Sequence, residues 1–435
     1  MRKKVVSLIT SAVMVTSVFA GMPMNVAAAD DDKVITFWSI GTNEPDATIL
    51  QRAVDTFNET TTSGYTAELV NYPTDNYKEK LTIAMSSGEC PDVYTNWSGG
   101  PLTEYINAGF AQPVTDLVKE MGLDSKVMAS GLAQGSVNDE IYALPVLNIA
   151  IEGFYYNKDL FEQVGITEEP TTISELEADC DKLVEAGITP FALANQSKWT
   201  GSMFFMGLAT RYAGLKPFQD AYAGTGSFED ECFKYAGEKI IDWVEKGYFP
   251  EGVNSLSFDD GQDKQLMYQE TAAMTLQGTW QTSTFKADSE EFYQKIGWFP
   301  FPAVDGSDAD ASIQIGTVGD CFATFNCTGD KLKAAVELVS CFYTDENVQY
   351  SVDAGYLPPV TNVADLITDE ISVENLNAAL DASSIQLWYD QYLPPAVSEV
   401  HQSTCQELFG ESITPEEADK ELQQAMQDYL AENAQ

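Results

Sequence analysis

Short continuous apolar runs alternate along this chain with segments whose apolar residues recur every three to four positions. Lys33 to Ser39 (KVITFWS) has the composition of a buried strand. Asp46 to Thr60 carries Ile49, Leu50, Val54 and Phe57 at helical spacing. Tyr65 to Tyr72 alternates as a strand, Asp75 to Ser86 puts Tyr77, Leu81, Ala84 and Met85 on one helix face, and Pro91 to Thr95 reads as a third strand. Strand, helix, strand, helix, strand is the grammar of a parallel α/β sheet. Ligands of such sheets collect beyond the carboxyl ends of the strands, here the loops Gly41-Thr42-Asn43-Glu44 and Asn96-Trp97-Ser98-Gly99-Gly100.

Helical segments follow from Pro101 to Ala133, and then the pattern changes. Ile141 to Leu147 and Ala150 to Tyr156 are two strand runs back to back, with Asn148 between them. The run suits a chain crossing from one packed lobe into another, with the polar residue exposed where the lobes face; an ordinary buried strand pair is the alternative. Asn157-Lys158-Asp159 then opens a helix that stops at Gly165. A second α/β grammar starts here. It has helices at Thr172–Ala186, Gly201–Tyr212 and Glu229–Glu245, and strands at Phe191–Leu193, Ala272–Leu276 and Gly297–Phe301. Asn195 to Trp199 reads as a polar loop, and Gly278-Thr279-Trp280 as a helix start. Ile313 to Phe325 runs strand, glycine break, strand, a second crossing. Helices at Lys331–Thr344, Glu374–Asp381, Pro394–Leu408 and from Pro415 to about Ala431 complete the chain.

At 435 residues the chain has room for two or three domains of roughly 150 residues each. Residues 1–29 read as a signal peptide: Arg2, Lys3 and Lys4, an apolar run from Val5 to Gly21, and Ala27-Ala28-Ala29 before Asp30. Acidic residues outnumber basic ones 67 to 23, for a net charge of −44. Such a surface repels phosphate backbones and anionic headgroups, which argues against nucleic acid or membrane-surface ligands. Seven cysteines with no CxxC pair suit buried free thiols better than a disulfide framework. A single histidine, His401, makes histidine-based zinc or Ser-His machinery hard to build, and no stretch has EF-hand spacing or another cofactor motif.

Four predicted loops pair a tryptophan with small polar residues: Asn96-Trp97, Lys198-Trp199, Gly278-Thr279-Trp280 and Trp388-Tyr389-Asp390-Gln391. Each tryptophan alone reads most simply as core packing. Together they match what a sugar requires, an indole for its apolar C–H face and polar side chains for its edge hydroxyls. The carboxylates show no spacing that singles out a glycosidase pair, so Asp320 and Asp390 read more simply as hydrogen-bonding groups. The GxxG of Gly316 to Gly319 lacks the GK[ST] of a P-loop and reads as a hinge.

Several stretches in order carry a resemblance: ITFW, YKEKLTIAMSSGECPDVYTNWSGG, YINAGFAQPVTDL, KWTGSMFFMGLATRYAG, AAMTLQGTWQTSTF, IGWFPFPAVDG and ITPEEADKELQQAM. The chain resembles the extracellular solute-binding proteins of ABC-type sugar importers, the maltose-binding-protein-like group called family 1. That resemblance implies a two-lobed α/β periplasmic-binding-protein-like fold of type II, with crossing strands as a hinge. Lobe one would be 30–147 plus 320–363, and lobe two 148–318 plus 364–435. It further implies a monomer that closes on an oligosaccharide without catalysis and docks on permease subunits. Carried over residue by residue, it places Asn43, Glu44, Asn96, Trp97, Asn148, Trp199, Trp280, Trp388, Tyr389 and Asp390 at the ligand. Relatives tethered by a lipobox cysteine differ from this chain, whose first cysteine is Cys90; the expectation is ordinary secretion to the cell surface. The rival expectations are a secreted glycoside hydrolase, and a receptor for a non-sugar anion or peptide. The latter would need a basic cleft centre, for which only Lys198 is near.

Overall fold

The computed structural model describes residues 33–433, so the signal-peptide expectation lies outside the described residues. The strands, in chain order, are β1 (Val34–Ser39), β2 (Thr66–Asn71), β3 (Val93–Asn96), β4 (Ser136–Val137) and β5 (Glu140–Ile141). They continue with β6 (Ala143–Val146), β7 (Ile149–Asn157), β8 (Thr189–Phe191) and β9 (Ala272–Gly278). The last are β10 (Ile296–Pro300), β11 (Gln314–Val318), β12 (Cys321–Phe325) and β13 (Ile385–Gln386).

Two sheets organise the molecule. The first has the order β2-β1-β3-β12-β6 and the second β13-β11-β7-β9-β8, with β10 paired to β7 at its edge; β4 and β5 form a small ribbon. In the first sheet β1 lies parallel to β2 and β3, whereas β12 runs antiparallel to both β3 and β6. Thus β12 belongs to the first sheet although the chain reaches it only after building most of the second. The second sheet is centred on the nine-residue β7, antiparallel to β9, β10 and β11. Helices cover both sheets through amphipathic faces. The helix Asp46–Thr60, for example, buries Ile49, Leu50, Ala53, Val54 and Phe57.

Two dipeptides join the sheets, Leu147-Asn148 between β6 and β7 and Gly319-Asp320 between β11 and β12. They touch, because the Asp320 N–H donates to the Asn148 carbonyl at 2.6 Å. The expected crossings are therefore present, but Asn148 is not exposed between the lobes. It is fully buried. Its Oδ1 accepts from the Leu357 N–H at 2.6 Å, and its Nδ2 donates to Thr279 Oγ1 at 3.1 Å.

Other differences from the sequence reading are local. Phe191 ends β8 instead of starting a strand, and Trp199 is the first residue of the helix Trp199–Ala213 rather than part of a loop. The helices Lys216–Tyr222, Gln262–Tyr268 and Asp345–Asp353 had no counterpart in the sequence reading. Each is nine residues or shorter and buries at most two apolar residues, too few for a periodic apolar signal. All seven cysteines are free, six of them buried.

Candidate functional site

The carboxyl ends of β1, β3, β9 and β13 point their loops into one cleft between the two sheets, which holds a cavity of about 250 Å³. The first lobe supplies Asn43, Glu44, Asp46, Lys78, Trp97, Asp320 and Tyr356 to its wall. The second supplies Trp199, Phe258, Asp259, Asp263, Trp280, Gln281, Trp388 and Asp390, with others around them.

The second-lobe wall is a run of aromatic rings in edge-to-face and tilted contact. Phe258 meets Trp199 at 4.7 Å between centroids, Trp199 meets Trp280 at 6.0 Å, and Trp280 meets Trp388 at 5.5 Å. Such a run buries a large apolar area while keeping polar edges available. Trp388 Nε1 donates to Glu152 Oε2 at 3.1 Å, and Trp280 Nε1 to Gln277 Oε1 at 3.3 Å. Trp199 Nε1 and Gln281 Nε2 are buried without a partner, and so is Gln391 Oε1. Buried polar atoms are normally paired; these two donors and one acceptor, all on residues that line the cavity, are not.

Carboxylates dominate the polar part of the wall. Asp46 accepts a hydrogen bond from the Tyr356 hydroxyl. Burial, then the neighbouring Asp320 and Glu44, pushes the Asp46 carboxyl up to about 8; burial pushes Asp320 up to about 7. Asp263 is pushed up to about 6 by burial, opposed by the Lys264 backbone N–H. Burial also raises Asp390, against the pull of Lys78, whose Nζ lies 3.7 Å from Asp390 Oδ2 and 4.6 Å above the Trp97 ring. Asp46 and Asp320 thus keep a proton at or near neutrality and can donate to, as well as accept from, a hydroxylated ligand. Deeper in, Glu152 is pushed up to about 8 by burial, opposed by its bond from Trp388 and by Arg211.

The lobes touch across the cleft mouth. Ser197 Oγ donates to Asp75 Oδ2 at 2.8 Å, and the Asp75 N–H donates to Asp259 Oδ2 at 3.1 Å. Asp259 thus sets a carboxylate at the amino end of the opposite lobe's helix Thr74–Ser87, a favourable placement for negative charge.

Of the residues expected at the ligand, Asn43, Glu44, Trp97, Trp199, Trp280, Trp388 and Asp390 line the cavity, and Asn96, Asn148 and Tyr389 do not. Asn96 is buried within β3. The Tyr389 ring stacks on Phe218 at 3.9 Å in the second-lobe core. Residues missed from sequence include Asp46, Gln281, Tyr356 and the stretch Phe258 to Lys264. The last had a signal, the acidic, glycine-containing FDDGQD, which turns into the helix Gln262–Tyr268.

His401 is buried, its Nε2 2.6 Å from Ser202 Oγ, and burial lowers it to about 3. That pair is walled off from the cleft and serves packing. Among the described residues no cluster of three or more His, Cys, Asp or Glu is arranged to hold a metal ion, and no helix is long and apolar enough to cross a membrane.

The model of a family described as bacterial extracellular solute-binding protein matches residues 41–349. An uncharacterised ABC transporter extracellular-binding protein of Pyrococcus horikoshii is 30% identical over 231 residues, 52% of this chain; the chain spans about half of that relative, 51%. A protein of Mesorhizobium japonicum named a probable sugar-binding periplasmic protein is 23% identical over 361 residues, 80% of this chain and 82% of its own. Among solved structures, a chitin oligosaccharide binding protein superposes with a TM-score of 0.83 at 26% identity, covering 92% of this chain and 99% of that one.

Proposed function

The chain belongs to the bacterial extracellular solute-binding protein family, and from that membership we propose that it is exported, binds an oligosaccharide between its lobes and presents it unchanged to the permease of an ABC importer. The observation that carries the reading is the aromatic wall of Phe258, Trp199, Trp280 and Trp388 facing carboxylates and unpaired amide and indole groups in one interlobe cavity. Sugar C–H faces lie against the rings, and hydroxyls bond to Asn43, Glu44, Asp46, Gln281, Asp320 and Asp390. The names of the relatives that mention sugars and chitin oligosaccharides point the same way. Lobe one is 30–147 with 320–363, and lobe two is 148–318 with 364–435. The helix Glu370–Leu380, which packs on β7 and β10, supports the second boundary. Closure swings the lobes about Leu147-Asn148 and Gly319-Asp320, and the closed form docks on the permease as a monomer.

This reading predicts no turnover; a hydrolase would have to work through a pair of the cleft carboxylates, since the sole histidine is buried away from the cavity. The test is a thermal-shift screen against α-galactosides, maltodextrins and xylo-, manno-, fructo- and chito-oligosaccharides, with chromatography of each sugar afterwards. A ligand that binds only the folded state raises the melting temperature in proportion to RT ln(1 + [L]/Kd). The expected result is a dose-dependent rise for one class, with the sugar recovered intact. Disappearance of the sugar would make the protein a hydrolase, and silence across the panel would remove the saccharide.

A further inference from the structure

The charge lining the cleft is one-sided. Glu44, Asp46 and Asp320 come from the first lobe, and Asp259, Asp260, Asp263 and Asp390 from the second. The only cationic side chains on the wall, among the described residues, are Lys78 and Lys264. Both already have carboxylate partners: Lys78 lies 3.7 Å from Asp390, and Lys264 2.7 Å from Asp288. By contrast, no Lys or Arg nitrogen of the described residues lies within the 4.0 Å of a salt bridge from Glu44, Asp46 or Asp320. The hydrogen-bond donor that reaches Asp46 is the neutral Tyr356 hydroxyl. The high proton affinity of Asp46, raised in part by Asp320 and Glu44, shows that this corner already resists one more negative charge. Opposite, the unpartnered donors on lining residues are both neutral, the amide of Gln281, which is 2% exposed, and the indole N–H of Trp199.

We propose that the cleft selects its saccharide by charge: it takes saccharides that are neutral or carry an amine and refuses those carrying a carboxylate, sulfate or phosphate, with Glu44, Asp46 and Asp320 setting the refusal. The inference rests on the saccharide reading above. A hydroxyl donates to these carboxylates and an ammonium does so with charge assistance. Above about pH 8, where Asp46 and Asp320 are ionised, an acidic substituent brings like charge into a half-desolvated corner with no free cation, where water screens the repulsion weakly; at lower pH their protons blunt the refusal.

The test uses the mature protein and the neutral oligosaccharide identified by the panel. Isothermal titration, run above about pH 8 so that Asp46 and Asp320 are ionised, compares two derivatives of that sugar, a uronamide that keeps the parent's affinity and the uronate of the same size at the same position. The uronate is expected to bind at least tenfold more weakly at low ionic strength. The gap should shrink at about 0.5 M salt, where the Debye length falls to a few Å. An amine at the same position is expected to bind at least as tightly as the uronamide. The exposed Glu44→Gln and the hinge-side Asp320→Asn variants should each narrow the uronate gap, whatever they do to the affinity of the neutral sugar. A uronate within twofold of the uronamide, or an amine that binds more weakly than it, would overturn the proposal. A gap unchanged in both variants would remove these residues from the role. If the parent sugar itself fails to bind, it is the saccharide reading that falls.

Discussion

The side chain of Asn148 uses both ends of its amide inside the protein, on the Leu357 N–H and on Thr279 Oγ1, and none of it faces the cavity. Removing one partner of a buried hydrogen bond strands the other at a cost of about 1–3 kcal/mol. Asn148→Ala should therefore lower unfolding stability by about that much, read as a fall in the urea midpoint, while the folded fraction keeps most of its ligand affinity. Trp199 presents the opposite case. It is half-buried, sits between Phe258 and Trp280, and its Nε1 has no protein partner. Trp199→Ala should weaken ligand binding at least tenfold, a loss of about 1.4 kcal/mol or more, with a cooperative melt retained. Undiminished affinity would take Trp199 out of the site. The sequence could not separate these two residues. Both looked like polar-flanked positions at element ends, and only the placement of Leu357 and Thr279, far apart in the chain, decides that one is internal. For the same reason Tyr389 and Asp390, adjacent in sequence, part company: Tyr389 packs on Phe218, while Asp390 turns to Lys78 and the cavity.

At the scale of elements, the sheets and long helices were legible because their apolar periods are long and clean. The helix Asp46–Thr60 was read to its last residue, and the strand-glycine-strand run from Ile313 to Phe325 resolves into β11 and β12 on either side of Gly319-Asp320. The short helix Gln262–Tyr268 was not legible, because it buries only Asp263 and Met267, yet with the turn before it, Asp259 and Asp260, it completes the acidic wall through Asp263. Nor was Leu147 marked as special, although it holds a left-handed φ of 66° at the first crossing. That is a position of about 1–3 kcal/mol of strain, which its surroundings must overcome. Gly316 shows why a glycine was needed where β11 meets β7. A Cβ there would lie 2.0 Å from the Ala150 carbonyl oxygen and 2.7 Å from Ile151 Cα, both backbone atoms. Overpacking commonly costs about 1–3 kcal/mol, and here no side chain can swing aside. Gly316→Ala should lower the urea midpoint by the upper end of that range with an unchanged m-value. A wild-type midpoint would mean that the two crossing strands separate without cost, and the hinge would need to be placed elsewhere.

The whole molecule carries a net charge of −44 and also buries carboxylates that would rather be neutral. Asp46, Glu152 and Asp419 are pushed up to about 8, Asp320 to about 7 and Asp263 to about 6, in each case chiefly by burial. In the unfolded chain such groups ionise near 4. Between about pH 4 and 8 the folded state therefore binds more protons than the unfolded one, and stability must fall as pH rises through that window. His401 works the other way. Lowered to about 3, it favours folding as pH rises toward its ordinary value near 6.5, but it is one group against five and its influence ends below neutrality. Mutual repulsion of the surface acids adds to the same downward trend. The ligand-free protein should thus melt several degrees lower at pH 8 than at pH 5 in buffers of matched ionic strength, and added salt should recover part of the loss by screening the surface share. Glu152→Gln separates the buried share from the surface share. The amide keeps an oxygen for Trp388 Nε1 and cannot ionise, so the variant should match the parent near pH 5 and exceed it at pH 8, with a shallower slope between. A melting temperature that is flat or rises from pH 5 to 8 would show that these buried acids ionise without penalty. It would also weaken the electrostatic case for a cleft that refuses anions, because both rest on the same scarcity of cations around Asp46 and Asp320.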